Sequence, residues 1–184
     1  MLFCDPRSVD LWLNDSVGKQ LLAEQQALLD ECLETLFGYH LLQLSFCDHR
    51  VLYQASKIKH RFRLCEKTGQ GSCASEFESL PLLTDSVDVM ILHHVLDYSE
   101  NPHALLREAA RVLMPGGHII ILGFNPFGPL ALFNRSQRFL PNARFSASRL
   151  ADWLNLLEFS EPDTRYGFYR LPFTKFCQSQ ESPW

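Results

Sequence analysis

Apolar residues recur at intervals of three, four and seven through residues 17–36, where Val17, Leu21, Leu22, Leu28, Leu29, Cys32, Leu33 and Leu36 share one stripe. The stripe predicts an amphipathic helix, opened by Asp15 or Ser16 and ended by Gly38. Its polar positions, Glu24, Gln25, Gln26 and Glu31, are expected to face water. Shorter runs follow. Residues 40–44 predict a first strand, residues 61–65 alternate as a second, and residues 74–77 form a brief third before the break at Ser79-Leu80-Pro81. The mixed segment 47–59 has room for a short helix. Residues 87–92 and 118–122 are almost wholly apolar, as expected for strands covered on both faces of a parallel sheet. Between them, residues 102–113 predict a helix capped by Asn101, with Pro102 in its first turn. Leu105, Leu106, Ala109, Val112 and Leu113 form its buried face, while Arg107, Glu108 and Arg111 point outward. Pro115-Gly116-Gly117 is expected to stop that helix and reverse the chain. A last helix over 146–159 and a last strand over 166–171 complete the pattern.

Alternating strands and helices in this order predict one α/β domain with a mainly parallel sheet. The 184 residues suffice for one substantial core and not for two. The expected division is a helical cap over 1–37, a central core over 38–123 and C-terminal elements over 124–184. The formal charge of -4 argues against a nucleic-acid partner. The dense basic group of Lys57, Lys59, His60, Arg61 and Arg63 is read as solvated surface. Six cysteines include no C-x-x-C pair, which predicts neither a metal site nor a disulfide framework, and a cytoplasmic location. Neither a leader segment nor a membrane span is expected from the hydropathy.

Two blocks make the reading specific. The first runs Phe77-Glu78-Ser79-Leu80-Pro81, through Asp85 and Asp88, to His93-His94-Val95-Leu96-Asp97. The second runs from Arg107-Glu108-Ala109-Ala110-Arg111-Val112-Leu113 to Pro115-Gly116-Gly117 and the apolar strand behind it. In this order they resemble the middle of class I S-adenosylmethionine-dependent methyltransferases of the type 11 group. The segment Phe37-Gly38-Tyr39-His40-Leu41-Leu42-Gln43 is similar to the lead into the first strand of a proteobacterial branch of that group. The resemblance implies a Rossmann-like methyltransferase fold, S-adenosyl-L-methionine as cofactor and a small-molecule methyl acceptor.

Ligands in open parallel sheets lie beyond the carboxyl ends of the strands, where strand order reverses. That rule selects Ser45 and Asp48 after the first strand, for the amino-acid tail of the cofactor. Glu66 ends the second strand and stands about twenty residues beyond the first, the separation at which an acid reaches ribose hydroxyls, since a carboxylate accepts from two at once. The resemblance assigns Glu76 to the adenine amino group, with Phe77 beside the base. His93 and His94 follow the fourth strand, near the transferred methyl. Of these, His94 is the candidate base, because an imidazole exchanges protons near neutral pH, and a packed histidine is the competing reading.

The chain departs from the family pattern in one place. Ser45-Phe46-Cys47-Asp48-His49-Arg50 stands where relatives carry glycines that let the backbone approach the cofactor. The N-terminal half is also trimmed, with no room for a helix between Glu66 and Glu76. Two readings therefore compete: an active methyltransferase with an altered tail site, and a non-catalytic methyltransferase-like scaffold acting as a binding or regulatory protein. A nicotinamide enzyme is disfavoured because no Gly-x-Gly-x-x-Gly turn occurs.

Overall fold

The computed structural model describes residues 13–45, 50–65, 73–74, 76–128, 145–160, 163–165 and 167. Five parallel strands form one sheet in the order β3-β2-β1-β4-β5: β1 His40–Ser45, β2 His60–Cys65, β3 Cys73–Ala74, β4 Val87–His93 and β5 Leu113–Leu122. The helices are α1 Ser16–Thr35, the single turn α2 Val95–Tyr98, α3 Pro102–Val112 and α4 Ala147–Leu156.

Side chains alternate across each strand, and the two central strands divide accordingly. Leu41, Val89 and Ile91 face α1, where Leu29 and Leu33 meet them. Leu42, Leu44, Met90 and Leu92 face the other way, against Leu105, Leu106, Ala109 and Val112 of α3 and Leu154 of α4. β4 is thus covered on both sides, as its unbroken apolar run predicts, whereas β5 stands at the end of the strand order and its run Ile119–Leu122 is only half-buried. Helix α1 has no side-chain cap and no charges matched to its dipole. Its stability comes from burial instead, at roughly 1.5–3 kcal/mol per buried leucine.

Several local expectations are corrected. Gln25 and Gln26 of α1 turn inward: Gln25 contacts His94, and Gln26 donates to Asp30 and to the carbonyl of Leu52. The third strand is Cys73–Ala74, so Glu76 and Phe77 belong to the turn beyond it. Described residues 50–59 contain no helix. Pro115-Gly116-Gly117 does not stop α3, because Leu113 is already extended and paired with Val87. These residues form the irregular first half of β5, where a Cβ on Gly117 would lie 2.9 Å from the carbonyl oxygen of Asp88. Asp97, the last residue of the first motif block, is buried in α2. The strand expected over 166–171 lies outside the described residues, apart from Gly167, which is in neither helix nor strand.

The two motif blocks have structural roles. Asp88 accepts from the backbone N–H groups of Tyr39 and His40 and so fixes the entry to β1. Gly38 leaves room for it, since a Cβ there would lie 2.4 Å from the Asp88 Cβ. Glu108 and Arg111 do not simply face water. Glu108 accepts from the Leu80 N–H, and Arg111 donates to the carbonyls of Leu80 and Leu82 and to the Thr84 hydroxyl. Arg111 also binds both oxygens of Glu108, which holds that carboxyl below its usual range. This latch sets the loop that follows Glu76 and Phe77.

Candidate active site at the β1–β4 switch

The chain leaves β1 toward β2 on one side and has β4 on the other, so the strand order reverses at the β1–β4 pair. Ser45 and His93 are register partners at the carboxyl ends of these two strands. Both are buried. The strand pattern brings them to the place where open α/β sheets bind ligands.

Ser45 is positioned by Gln43, which shares its face of β1. Gln43 is fully buried within an apolar strand, and every bond it makes is local to this rim. Its amide nitrogen donates to the Ser45 hydroxyl at 2.6 Å and to the Arg50 carbonyl at 2.8 Å, while its oxygen accepts from Leu52 N–H at 2.9 Å. One side chain thereby ties the returning loop to the end of β1. A lone amide inside an apolar strand is the signal that marks Gln43 in the sequence, because such a group is buried only when bonded.

His93 differs from its neighbours. Its Nε2 is buried and has no hydrogen-bond partner among the described residues. Burial, reinforced by the neighbouring His94 and Arg50, pushes its pKa well down, so the ring stays neutral. An unsatisfied buried donor or acceptor costs about 1–3 kcal/mol, which is why native structures contain few of them.

His94 is fully engaged. Its backbone is left-handed (φ 56, ψ 13), a strained conformation for a residue with a Cβ. The backbone N–H donates to the Leu122 carbonyl at 2.8 Å. Nδ1 lies 2.9 Å from Asp97 Oδ2, and Nε2 lies 3.0 Å from the Gln25 amide nitrogen. A carboxylate only accepts, so Nδ1 carries the hydrogen and Nε2 receives the Gln25 N–H. Gln25 Oε1 is 3.4 Å from the same Nε2, so a turn of the amide serves a protonated ring equally. Asp97 also accepts from the Phe124 N–H, at 3.1 Å. The Phe124 ring stacks on His94 with centroids 4.1 Å apart, and His93 meets His94 edge-on at 4.7 Å. Asp97, Gln25 and Phe124 were not singled out as site residues by sequence, because they converge from three separate elements.

Glu76 is exposed in the turn beyond β3, and Ser79 N–H donates to its carbonyl. Phe77 is buried among Leu42, Leu64 and their neighbours. Asp48 and Glu66 lie outside the described residues; Glu66 directly follows Cys65, the β2 partner of Ser45. The fold therefore gathers Ser45, His93 and His94 at the switch, with Glu76 two strands away at the same end of the sheet.

Residues 40–121 match the family model described as a methyltransferase domain. The uncharacterised protein YafS of Escherichia coli K12 is 30% identical over 175 residues, covering 90% of this chain and 71% of YafS. Among solved structures, a SAM-dependent methyltransferase of Thermotoga maritima superposes with a TM-score of 0.57 at 20% identity, covering 79% of this chain and 81% of that one. A structure from Haloferax volcanii, of the Trm112 methyltransferase activator with its methyltransferase partner, superposes with a TM-score of 0.60 at 18% identity, covering 83% and 75%. With the parallel sheet and the switch-point site already in place, the chain belongs to the type 11 group of class I S-adenosylmethionine-dependent methyltransferases.

Proposed function

We propose that the chain binds S-adenosyl-L-methionine across the carboxyl ends of β3, β2, β1 and β4 and transfers its methyl group to a small-molecule acceptor. One observation carries this reading: the buried Ser45–His93 pair at the strand-order switch, with His93 Nε2 lacking a protein partner among the described residues. An orphaned buried nitrogen at a ligand-binding rim is accounted for by a polar group of the ligand. The rest of the rim fits the same molecule. Adjacent strands are about 4.8 Å apart, so the ends of β3 and β1 are roughly 10 Å apart, a span that a nucleoside with its tail bridges. In this arrangement Glu76 accepts from the adenine amino group, Phe77 supports the base from the core side, and Glu66 accepts from the ribose hydroxyls. Ser45 and Asp48 face the amino-acid tail.

When bound, the cofactor supplies a methyl group already made electrophilic by its sulfonium. The chain's own residues align the acceptor and exclude water. For an acceptor that arrives protonated, His94 takes the proton at Nε2 while Asp97 holds Nδ1–H and stabilises the charged ring. Gln25 covers that nitrogen and must swing aside as the acceptor enters. The free thiol of Cys32 suits a reducing, cytoplasmic setting. No helix among the described residues is long and apolar enough to cross a membrane.

The second reading, a non-catalytic scaffold, draws on the glycine-free stretch Ser45–Arg50 and the helix-free return through residues 50–59. Calorimetric titration with S-adenosylhomocysteine separates the two. Saturable one-to-one binding supports the enzyme; no heat at millimolar ligand leaves only the scaffold.

A further inference from the structure

Arg50 is the first described residue after β1, and Gln43 holds its carbonyl at 2.8 Å, so its backbone stays at the switch. Its guanidinium reaches toward the segment that enters α1. There Nη2 donates to the Leu13 carbonyl at 3.3 Å and to Asn14 Oδ1 at 3.4 Å, both long and both to uncharged partners. Among the described residues no carboxylate pairs with Arg50, and neither Nε nor Nη1 has an acceptor. A half-buried guanidinium with spare donors in a fixed fork is suited to a carboxylate. Arg50 also lies close enough to His93 for its charge to act on that ring. His93, itself 2% exposed, presents the second unmatched group of the same corner. A neutral imidazole still donates one N–H.

We infer that Arg50 and His93 together form an anchor for the α-carboxylate of the cofactor's amino-acid tail, standing in for the glycine loop that this chain lacks. The inference rests on the proposed cofactor site and deepens it. It also gives the departure from the family pattern a physical reason. Glycines expose backbone N–H groups to an anion, whereas a cationic side chain beside a buried imidazole supplies donors without close backbone approach.

The test compares two ligands that share the adenosine and differ in the tail. S-adenosylhomocysteine has the carboxylate; 5′-methylthioadenosine has none. In calorimetry on the full chain, Arg50→Gln is expected to weaken S-adenosylhomocysteine about 10- to 100-fold, the loss of a charge-assisted bond, and to leave methylthioadenosine within about twofold. Arg50→Lys keeps the charge but not the fork, so it gives a smaller loss confined to the same ligand. It also decides the matter if Arg50→Gln fails to fold. Equal losses for both ligands, or no loss for either, overturn the anchor while leaving the cofactor site standing. A native chain that binds neither ligand overturns the site itself and the anchor with it.

Discussion

Asp97 Oδ2 lies 2.9 Å from His94 Nδ1, with the two side chains only 1% and 4% exposed. An Asp–His pair this dry is held by the fold and not by chance surface contact. It joins the end of β4 to α2, and through Phe124 to the end of β5. The strained backbone of His94 is thereby tied down from three directions.

Replacing Asp97 by Asn tests whether the pair sets the histidine's tautomer. Asparagine offers a donor as well as an acceptor, so it no longer forces the hydrogen onto Nδ1. Nitrogen-15 NMR of labelled histidine is expected to find Nδ1–H in the native chain and a mixed or reversed tautomer in Asp97→Asn. Urea unfolding should register a loss of about 1–3 kcal/mol for the disturbed buried bonds. An unchanged tautomer would mean that Gln25, not Asp97, governs the ring.

His93 makes an opposite prediction for stability. Replacing it by Leu removes a buried nitrogen without a protein partner, so His93→Leu should be more stable by about 1 kcal/mol while binding S-adenosylhomocysteine less well. Stability and function then move in different directions, which a purely structural histidine would not produce.

The same residue sets a pH dependence. Its folded pKa is depressed by burial first, then by His94 and Arg50, so below the ordinary histidine value of 6.5 the unfolded chain binds the extra proton. Its contribution is complete above that value and declines as pH falls beneath it. Urea midpoints taken from about pH 7 to about pH 5 should fall, and His93→Leu should flatten the slope by up to one proton, about 1.4 kcal/mol per pH unit.

The Glu108–Arg111 latch predicts a second, more acidic loss. Glu108 is held below its usual range first by the Arg111 hydrogen bond, so its contribution is present above the ordinary glutamate pKa and is lost as pH falls through the lowered one. Arg111→Ala should lower the melting temperature and speed hydrogen exchange over residues 80–86. Arg111→Lys should recover only part of this, because one ammonium cannot serve Glu108, Thr84, Leu80 and Leu82 together. Exchange that stays slow in Arg111→Ala would show that burial of Leu80 alone fixes the loop.

Much of the architecture was legible along the chain because it follows from local periodicity. The apolar runs of β4 and β5 and the Asn101 cap of α3 each need only neighbours in sequence to be read. The site was legible in part. The strand-end rule leads to Ser45, His93 and His94, since each follows directly from the strand assignments. It does not lead to Gln25, whose partner is 69 residues away, nor to Gln43 or Arg50, whose roles exist only once β1 and its return loop are folded together. Glu108 and Arg111 look like surface positions along the chain for the same reason. Their partners lie on a loop roughly one strand-and-turn earlier in the chain, and helical periodicity alone gives no hint of it.

A crystal structure grown with S-adenosylhomocysteine shows whether the cofactor lies over the junction of β1 and β4. Ligand density is expected to span from Glu76 to Ser45, with a polar atom of the ligand within hydrogen-bonding distance of His93 Nε2. Density elsewhere on the molecule, or a rim filled by the protein's own side chains with His93 Nε2 bonded to one of them, would contradict it.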